Sequence, residues 1–202
     1  PTGTRIGEDV VRPEVTLFSD PHYSGLQCAP FTVSAASGND TSVFDNGLEL
    51  GRTDWIRGGE LTALRQTRHT AAMTSQPATP SIDNLVLEVD GASGSVDDLV
   101  AGTERGLLLT CMWYIREVDP QTFLLTGLTR DGVYLVENGE ITGAVNNFRW
   151  NESPIDLLRR FTHASATVPS FSREWGDDYF SRTATPALRV PEFNMSSVSP
   201  AQ

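Results

Sequence analysis

The fold of this chain is decided by residues 107–149, which read LLLTCMWYIREVDPQTFLLTGLTRDGVYLVENGEITGAVNNFR. Nearly every residue in this stretch favours either an extended strand or a tight turn. Asp119-Pro120 predicts a turn after the first apolar run. Asp131-Gly132 and Asn138-Gly139 predict two more, because such pairs accept the positive φ angles of hairpin turns. The sequence therefore predicts a meander of four consecutive strands, paired antiparallel across all three turns.

The segments on either side of this stretch predict shorter strands and loops. Apolar runs bounded by glycine, proline or aspartate indicate strands in residues 14–19, 44–64 (as a hairpin), 85–89 and 187–190. Residues 22–39 indicate a long loop, and a polar tail is expected from Ser196 onward. The sequence therefore predicts an α+β fold that is predominantly antiparallel β, in meander or barrel-like sheets, with two or three short helices.

Two of these helices are predicted from their capping residues. Ser95 opens an S-x-x-D pattern, typical of a helix start, and Gly106 is expected to end that helix. Ser153-Pro154 opens the second, which ends in the basic pair Arg159-Arg160. Residues 70–73 could form a third helical turn within a segment that otherwise indicates an exposed, irregular crossing.

The composition narrows the class of protein. The chain has 15 basic and 26 acidic residues, and its net charge of −11 would repel a phosphate backbone, so no nucleic acid is expected as a partner. No apolar run approaches the roughly 20 residues of a transmembrane helix, so no membrane contact is expected. Cys28 and Cys111 are expected to be reduced thiols, which indicates a cytoplasmic protein. With 202 residues and 39% hydrophobic content, the chain is expected to form one domain over residues 1–202.

The central stretch also carries a resemblance to a known family. Residues 132–141 read GVYLVENGEI and resemble the G-f-w-I-E-N-G-E-I segment of the TldD/PmbA family, bacterial and archaeal proteins associated with zinc-dependent peptidase activity. Shorter family-like segments lie at residues 10–21, 44–45, 59–61, 70–71, 106–110 and 186–190. The resemblance covers nearly the whole chain but only the C-terminal domain of the family, so the N-terminal domain is expected to lie outside this chain.

The resemblance implies a metal chemistry for which this chain lacks the residues. Catalytic family members carry H-E-x-x-x-H upstream of this domain and a zinc-ligating cysteine near its end. Here His22, His69 and His163 are not followed by glutamate, and residues 171–186 contain no cysteine. The resemblance therefore implies a TldE-type member. No catalytic or metal-ligating residue is expected in this chain, and zinc is expected only in a catalytic partner subunit.

Three functions follow from the resemblance and the residues. The first is the C-terminal domain of a non-catalytic TldE-like subunit, inactive alone, that pairs with a zinc-bearing TldD-like subunit, or with itself, to degrade unfolded peptides. The second is the C-terminal half of a catalytic zinc peptidase whose metal-binding motif lies upstream. The third is a stand-alone β-rich binding module.

The aromatic and basic side chains of the central stretch are candidates for facing a peptide or a partner. Strand alternation places Trp113 and Tyr114 on opposite faces, so that one face can pack in the core while the other contacts an extended peptide. Arginine suits carboxylate recognition because its planar fork can donate two parallel hydrogen bonds. The candidates are Trp113, Tyr114, Arg116, Arg130, Arg149 and Trp150.

Other chemistry has weaker support in the sequence. Cys111 lies in an apolar strand, which favours a core residue over a nucleophile. Asp177-Asp178 with Glu174 lacks the ligand spacing of a calcium loop, which favours a solvated acidic turn. Ser165 and Ser170 have no nucleophile-elbow motif around them, so a serine hydrolase is not indicated.

Overall fold

The computed structural model of the chain describes residues 3–38, 41–171, 180 and 182–199. Within these ranges the chain forms two compact units. The first comprises residues 3–90, 168–171 and 180–185, and the second comprises residues 91–167 and 186–199. Each unit has its own sheets. The expectation of a single domain over residues 1–202 stays a prediction.

The elements are short strands joined by turns, with three short helices among the described residues. In chain order the strands are β1 Val15–Ser19, β2 Thr53–Arg57, β3 Glu60–Leu61, β4 Leu85–Val89, β5 Arg105–Leu109, β6 Met112–Asp119, β7 Leu124–Thr129, β8 Val133–Glu137, β9 Glu140–Val145, β10 Asn147–Glu152, β11 His163–Ala164, β12 Val168–Ser170, β13 Thr183–Thr185, β14 Leu188–Arg189 and β15 Met195–Ser199. The helices are α1 Arg68–Thr74, α2 Val96–Ala101 and α3 Pro154–Arg160, and a 3-10 turn covers Val43–Asp45. The predicted fold class, α+β with predominantly antiparallel sheets, is confirmed.

The first unit is built on one six-stranded sheet, in the order β12-β13-β4-β1-β2-β3. All its pairs are antiparallel except β13 with β4. Its core contains Phe18, Leu26, Val86 and Ala184, with Tyr23 packed against them. The predicted hairpin after residue 44 is confirmed for β2 and β3, which Gly58-Gly59 join with positive φ angles.

The predicted meander lies in the second unit and is made of three long strands that each bend once. The first consists of β5 and β6, the second of β7 and β8, and the third of β9 and β10. Antiparallel pairing of the first two runs from Arg105 opposite Glu137 to Asp119 opposite Leu124. The third long strand pairs with the other side of the second. Because of the bends, the halves of these strands belong to two sheets, β5-β8-β9 and β15-β10-β7-β6.

Two of the three predicted turns are hairpin turns. After Asp119, the side chain accepts hydrogen bonds from the Gln121 N–H at 2.9 Å and the Thr122 hydroxyl at 2.8 Å, which closes the turn between β6 and β7. Between β8 and β9, Asn138 and Gly139 have φ angles of 52° and 82°, as a type I′ turn requires.

The predicted hairpin across Asp131-Gly132 is wrong, because β7 and β8 are consecutive halves of one bent strand and do not pair with each other. Asp131 and Gly132 do have positive φ angles, 59° and 133°. Here that conformation turns the strand from one sheet into the other, as glycine does at the corners of curved sheets. Pairing with the neighbouring strand continues past the bend, since the Arg130 N–H donates to the Cys111 carbonyl at 3.0 Å.

The two helices predicted from caps are present, with two corrections. In α2 the Ser95 hydroxyl accepts from the Asp98 N–H and the Asp98 carboxylate accepts from the Ser95 N–H, which is a complete capping box. The helix ends at Ala101, however, and Gly106 lies inside β5. Ser153 holds the N-cap position of α3, but its hydroxyl makes no capping hydrogen bond. The third helical turn is also present, as α1, with Thr67 as its N-cap.

The expected polar tail is also corrected. Residues from Met195 to Ser199 form β15, which pairs antiparallel with β10. Polar side chains do not prevent strand formation at a sheet edge, because ladder hydrogen bonds use the backbone and one face stays solvated. No helix among the described residues has the length and apolar content that spanning a membrane requires.

Candidate functional site

Five of the six candidate residues come together at one surface of the four-stranded sheet. Directly opposed residues on neighbouring strands share a face, and the register places Trp113 beside Leu128 and Leu128 beside Arg149. Arg130 follows Leu128 by two positions, so its side chain leaves the same side of the sheet. These five residues, Trp113, Tyr114, Arg116, Arg130 and Arg149, form the aromatic–arginine surface.

A bulge in β6 brings the two aromatic rings together. Tyr114 has a φ angle of 55°, and the pairing register shifts between Trp113 and Arg116. The ring centroids of Trp113 and Tyr114 are 5.5 Å apart with an interplanar angle of 42°. The prediction that these two side chains point to opposite faces is therefore wrong, because an inserted residue interrupts the alternation on which it depended.

Two guanidinium groups extend the contact between these rings into a row of four side chains. The Arg130 guanidinium carbon lies 4.2 Å from the centroid of the Trp113 ring, and that of Arg116 lies 4.2 Å from the centroid of the Tyr114 ring. Both distances are well within the range of cation–π attraction. The order of the row is Arg130, Trp113, Tyr114, Arg116. Tyr114 keeps 46% of its surface exposed, so the row is open to solvent.

The charges of this surface are only partly neutralised. Arg130 has a carboxylate partner, since its Nε lies 3.6 Å from Oδ1 of Asp131. Arg116 donates to the carbonyl of Ile115 at 2.6 Å. Within the described ranges, Arg116 and Arg149 make no ion pair. The result is an exposed patch of positive charge in a chain whose net charge is −11.

Trp150, the sixth candidate, is a core residue. It is 3% exposed and its ring centroid lies 6.2 Å from that of Phe193. Gly127 lies opposite it on β7, and a Cβ atom added to Gly127 would be 2.5 Å from Cζ2 of Trp150. The ring therefore fills the space that glycine leaves and has almost no surface to offer a peptide or a partner in this structure.

Sequence reasoning missed Leu128, the apolar residue between Trp113 and Arg149 in the register. Its position depends on which residues of three strands stand opposite one another, and the register of β6 shifts twice, between Trp113 and Arg116 and between Glu117 and Asp119. A strict count back from the turn at Asp119 would have placed a different residue there. Tyr114 has a positive φ angle at the bulge, and the residue type gives no indication of it, because tyrosine rarely adopts that conformation.

The histidines do not fit a zinc site. No group of three or more His, Cys, Asp or Glu residues in the described part of the chain is arranged to hold a metal ion. His22 and His69 are exposed. The Nδ1 atom of His163 lies 3.1 Å from the Thr162 hydroxyl and 3.4 Å from Nη1 of Arg189, and a neighbouring guanidinium opposes the approach of a cation. The three histidines are therefore not arranged as zinc ligands within the described residues.

The remaining candidates for chemistry have structural roles or lie outside the described residues. Cys111 is buried, as predicted. Burial raises the pKa of the Cys28 thiol, which disfavours its reactive thiolate form. No disulfide joins Cys28 and Cys111. The buried Ser165 hydroxyl donates to the Ala166 carbonyl and accepts from the Ala187 N–H. Glu174 and Asp177-Asp178 lie outside the described residues.

Comparison with known proteins gives one family and several similar folds. Residues 1–197 match the family model of the PmbA/TldA metallopeptidase C-terminal domain. TldE from Thermococcus kodakarensis is similar in structure, with a TM-score of 0.72 and 16% identity, over 96% of this chain and 42% of that one. No curated protein matches the chain at a significant level.

Two further solved structures are similar, both described as candidate modulators of DNA gyrase. The one from Thermotoga maritima has a TM-score of 0.66 and 21% identity, over 94% of this chain and 41% of that one. The one from Bacteroides thetaiotaomicron has a TM-score of 0.67 and 19% identity, over 98% of this chain and 39% of that one. This chain thus spans about two fifths of each of these three structures, and at these identities the likeness shows the fold.

Proposed function

Because this chain belongs to the PmbA/TldA metallopeptidase C-terminal domain family, we propose that it is the C-terminal domain of a non-catalytic, TldE-like subunit. In this proposal the subunit works in the cytoplasm and pairs with a zinc-bearing, TldD-like subunit that degrades unfolded peptides. This domain supplies part of the architecture and a surface that faces the peptide or the partner. It holds no zinc and cleaves no peptide by itself.

One observation carries the assignment to the non-catalytic type. The resemblance implies a zinc-ligating cysteine between the last helix and the closing strand of catalytic members, and residues 171–186 of this chain contain none. Neither Cys28 nor Cys111 replaces it, because both lie far from that segment in the sequence and Cys111 is buried in the meander.

The test measures zinc and peptide cleavage with the purified 202-residue chain, alone and mixed with a TldD-like protein. We expect the chain alone to carry no stoichiometric zinc and to cleave no peptide. We expect the mixture to contain zinc and to cleave the peptide. About one tightly bound zinc per chain, lost when His22 or His163 is replaced by alanine, would contradict the proposal. Replacing the exposed His69 by alanine serves as the control, since it should leave the zinc content unchanged in either case.

A further inference from the structure

The aromatic–arginine surface has the composition of a binding site for protein. Tryptophan, tyrosine and arginine are the residues over-represented where alanine substitution costs most at interfaces. Here Trp113, Tyr114 and three arginines stand together on one sheet, with the partly buried Leu128 between Trp113 and Arg149. The surface therefore combines an apolar floor with cationic groups around it.

The stacking keeps the arginines available for a ligand. A guanidinium that lies flat on a ring uses its π face for that contact and keeps its N–H groups in the plane, where they can donate to a carboxylate. Among the described residues, Arg116 donates a hydrogen bond only through Nη1, to the carbonyl of Ile115. The row from Arg130 to Arg116 thus holds two guanidinium groups in place before any ligand arrives, which lowers the entropy cost of binding.

The charge of the surface disfavours a symmetric contact with a second copy. A two-fold interface brings the same patch of both chains together, so Arg116 and Arg149, which make no ion pair within the described ranges, would lie close to the same residues of the other copy. Like charges at such a contact repel each other. The occupant must therefore present negative charge where this surface presents positive charge, and its chemistry must differ from that of the surface itself.

We propose that the aromatic–arginine surface binds an extended acidic segment of a protein partner. Arg149 lies on β10, two strands and roughly 10 Å across the sheet from β6. Arg116 lies on β6 itself, at the end of the row opposite Arg130. Alternate side chains of an extended segment lie about 7 Å apart on one face. Carboxylates four residues apart on that face, about 14 Å from each other, can therefore reach Arg149 and Arg116 while the segment between them crosses Leu128 and Trp113. This inference rests on the proposed function only for the existence of a protein partner.

The test uses fluorescence anisotropy with a labelled peptide of alternating threonine and glutamate, about eight residues long, and its threonine–glutamine counterpart. We expect the purified chain to bind the glutamate peptide at about 50 mM salt and the glutamine peptide at least fivefold more weakly. Raising the salt to about 500 mM should weaken binding of the glutamate peptide severalfold, because exposed ion pairs are screened.

Substitutions locate the binding on the chain. Arg116→Gln and Arg149→Gln should each weaken binding of the glutamate peptide about threefold, and the double variant about tenfold, as expected for exposed ion pairs. The matched control is Arg105→Gln, which removes the same charge from an exposed strand residue in β5, on another sheet of the unit. It should leave binding within error of the unsubstituted chain. Circular dichroism confirms that each variant is folded.

Three results would overturn the inference. One is equal binding of the glutamate and glutamine peptides, or none of either. Another is the same loss of affinity in Arg105→Gln as in Arg149→Gln, since binding would then depend on net charge alone. The last is tighter binding of a labelled oligothymidylate of similar length, which would make this a stacking surface for single-stranded nucleic acid. None of these outcomes depends on zinc or cleavage, so the proposed function is judged separately.

Discussion

At the scale of single residues, Gly127 is a position inside a strand where the structure leaves no room for a Cβ atom. A Cβ atom there would lie 2.5 Å from Cζ2 of Trp150 and 3.0 Å from the carbonyl oxygen of Trp113. Backbone on one side and a buried ring on the other leave little room to adjust. We expect Gly127→Ala to lower the free energy of unfolding by about 1–3 kcal/mol, the usual cost of overpacking.

Gly143→Ala is the matched control for this prediction. Gly143 also lies inside a strand of the second unit, β9, but a Cβ atom there would meet nothing within 4 Å. Urea titrations followed by tryptophan fluorescence should give a lower midpoint for Gly127→Ala than for Gly143→Ala. Equal midpoints would mean that Trp150 can move aside at no cost.

Asp54 makes the stability of the chain depend on pH. Burial by itself raises the pKa of its carboxyl. Hydrogen bonds from Arg57 and Arg52 lower the pKa by more than burial raises it, so the pKa lies below the ordinary value. Because the pKa is lower in the folded state, the ionised carboxylate stabilises the fold at pH values above its unfolded pKa of about 3.9. This stabilisation is lost as the pH falls through the pKa of the folded state. Asp54→Asn should therefore reduce the free energy of unfolding at pH 7 by about 1–2 kcal/mol.

The measurement for Asp54 is urea unfolding at neutral pH and again below the folded pKa. The difference between Asp54→Asn and the unsubstituted chain should shrink on the acid side. Asp83→Asn is the control, because Asp83 pairs with Arg182 at an exposed position and such pairs contribute about 0–1 kcal/mol. A difference for Asp54→Asn that stays constant with pH would show that its carboxylate form contributes nothing.

At the scale of elements, the two helix starts that look alike in the sequence differ in the structure. The Ser95 hydroxyl accepts a hydrogen bond from the Asp98 N–H, whereas the buried Ser153 hydroxyl has no hydrogen-bond partner among the described residues. Ser95→Ala should therefore cost about 1 kcal/mol of stability. Ser153→Ala should cost nothing or stabilise slightly, since it removes a buried hydroxyl that makes no bond.

Thermal unfolding of the two serine variants checks this prediction, with the unsubstituted chain as reference. The expected order of midpoints places Ser95→Ala lowest. If Ser153→Ala is the more destabilised of the two, its hydroxyl must form a bond in solution that the structure does not contain. Both substitutions change the same atom at the same cap position, so differences in helix propensity cancel.

The sequence predicts the strands and helices better than it predicts how they pair, because pairing depends on residues that are distant in the sequence. Asn138-Gly139 and Asp131-Gly132 look equivalent, because both supply positive φ angles next to apolar runs. The first closes a hairpin and the second bends a strand that goes on pairing, and only the neighbouring strand decides between them. The candidate site follows the same rule: five surface residues were predicted, but their common face depends on the bulge at Tyr114.

At the scale of the whole molecule, exposed apolar side chains support the expectation that the chain associates. In the first unit, Phe44, Met73 and Val33 are 81%, 73% and 72% exposed. Large exposed apolar side chains favour association, because contact through them removes apolar surface from water. A net charge of −11 on each copy opposes this contact at low salt. We therefore predict a dimer that is held mainly by apolar contacts and persists as salt rises.

Sedimentation velocity at about 50 mM and about 500 mM salt, at micromolar protein, tests this prediction and separates it from binding at the aromatic–arginine surface. Phe44→Ser should shift the chain toward monomer at both salt concentrations, because it removes the most exposed of these apolar side chains. Arg149→Gln should leave the dimer unchanged, since a two-fold contact through the arginines would be repulsive. A monomer at both salt concentrations would contradict the prediction. A dimer that dissociates as salt rises, or one that Arg149→Gln disrupts, would instead place the contact among charged residues.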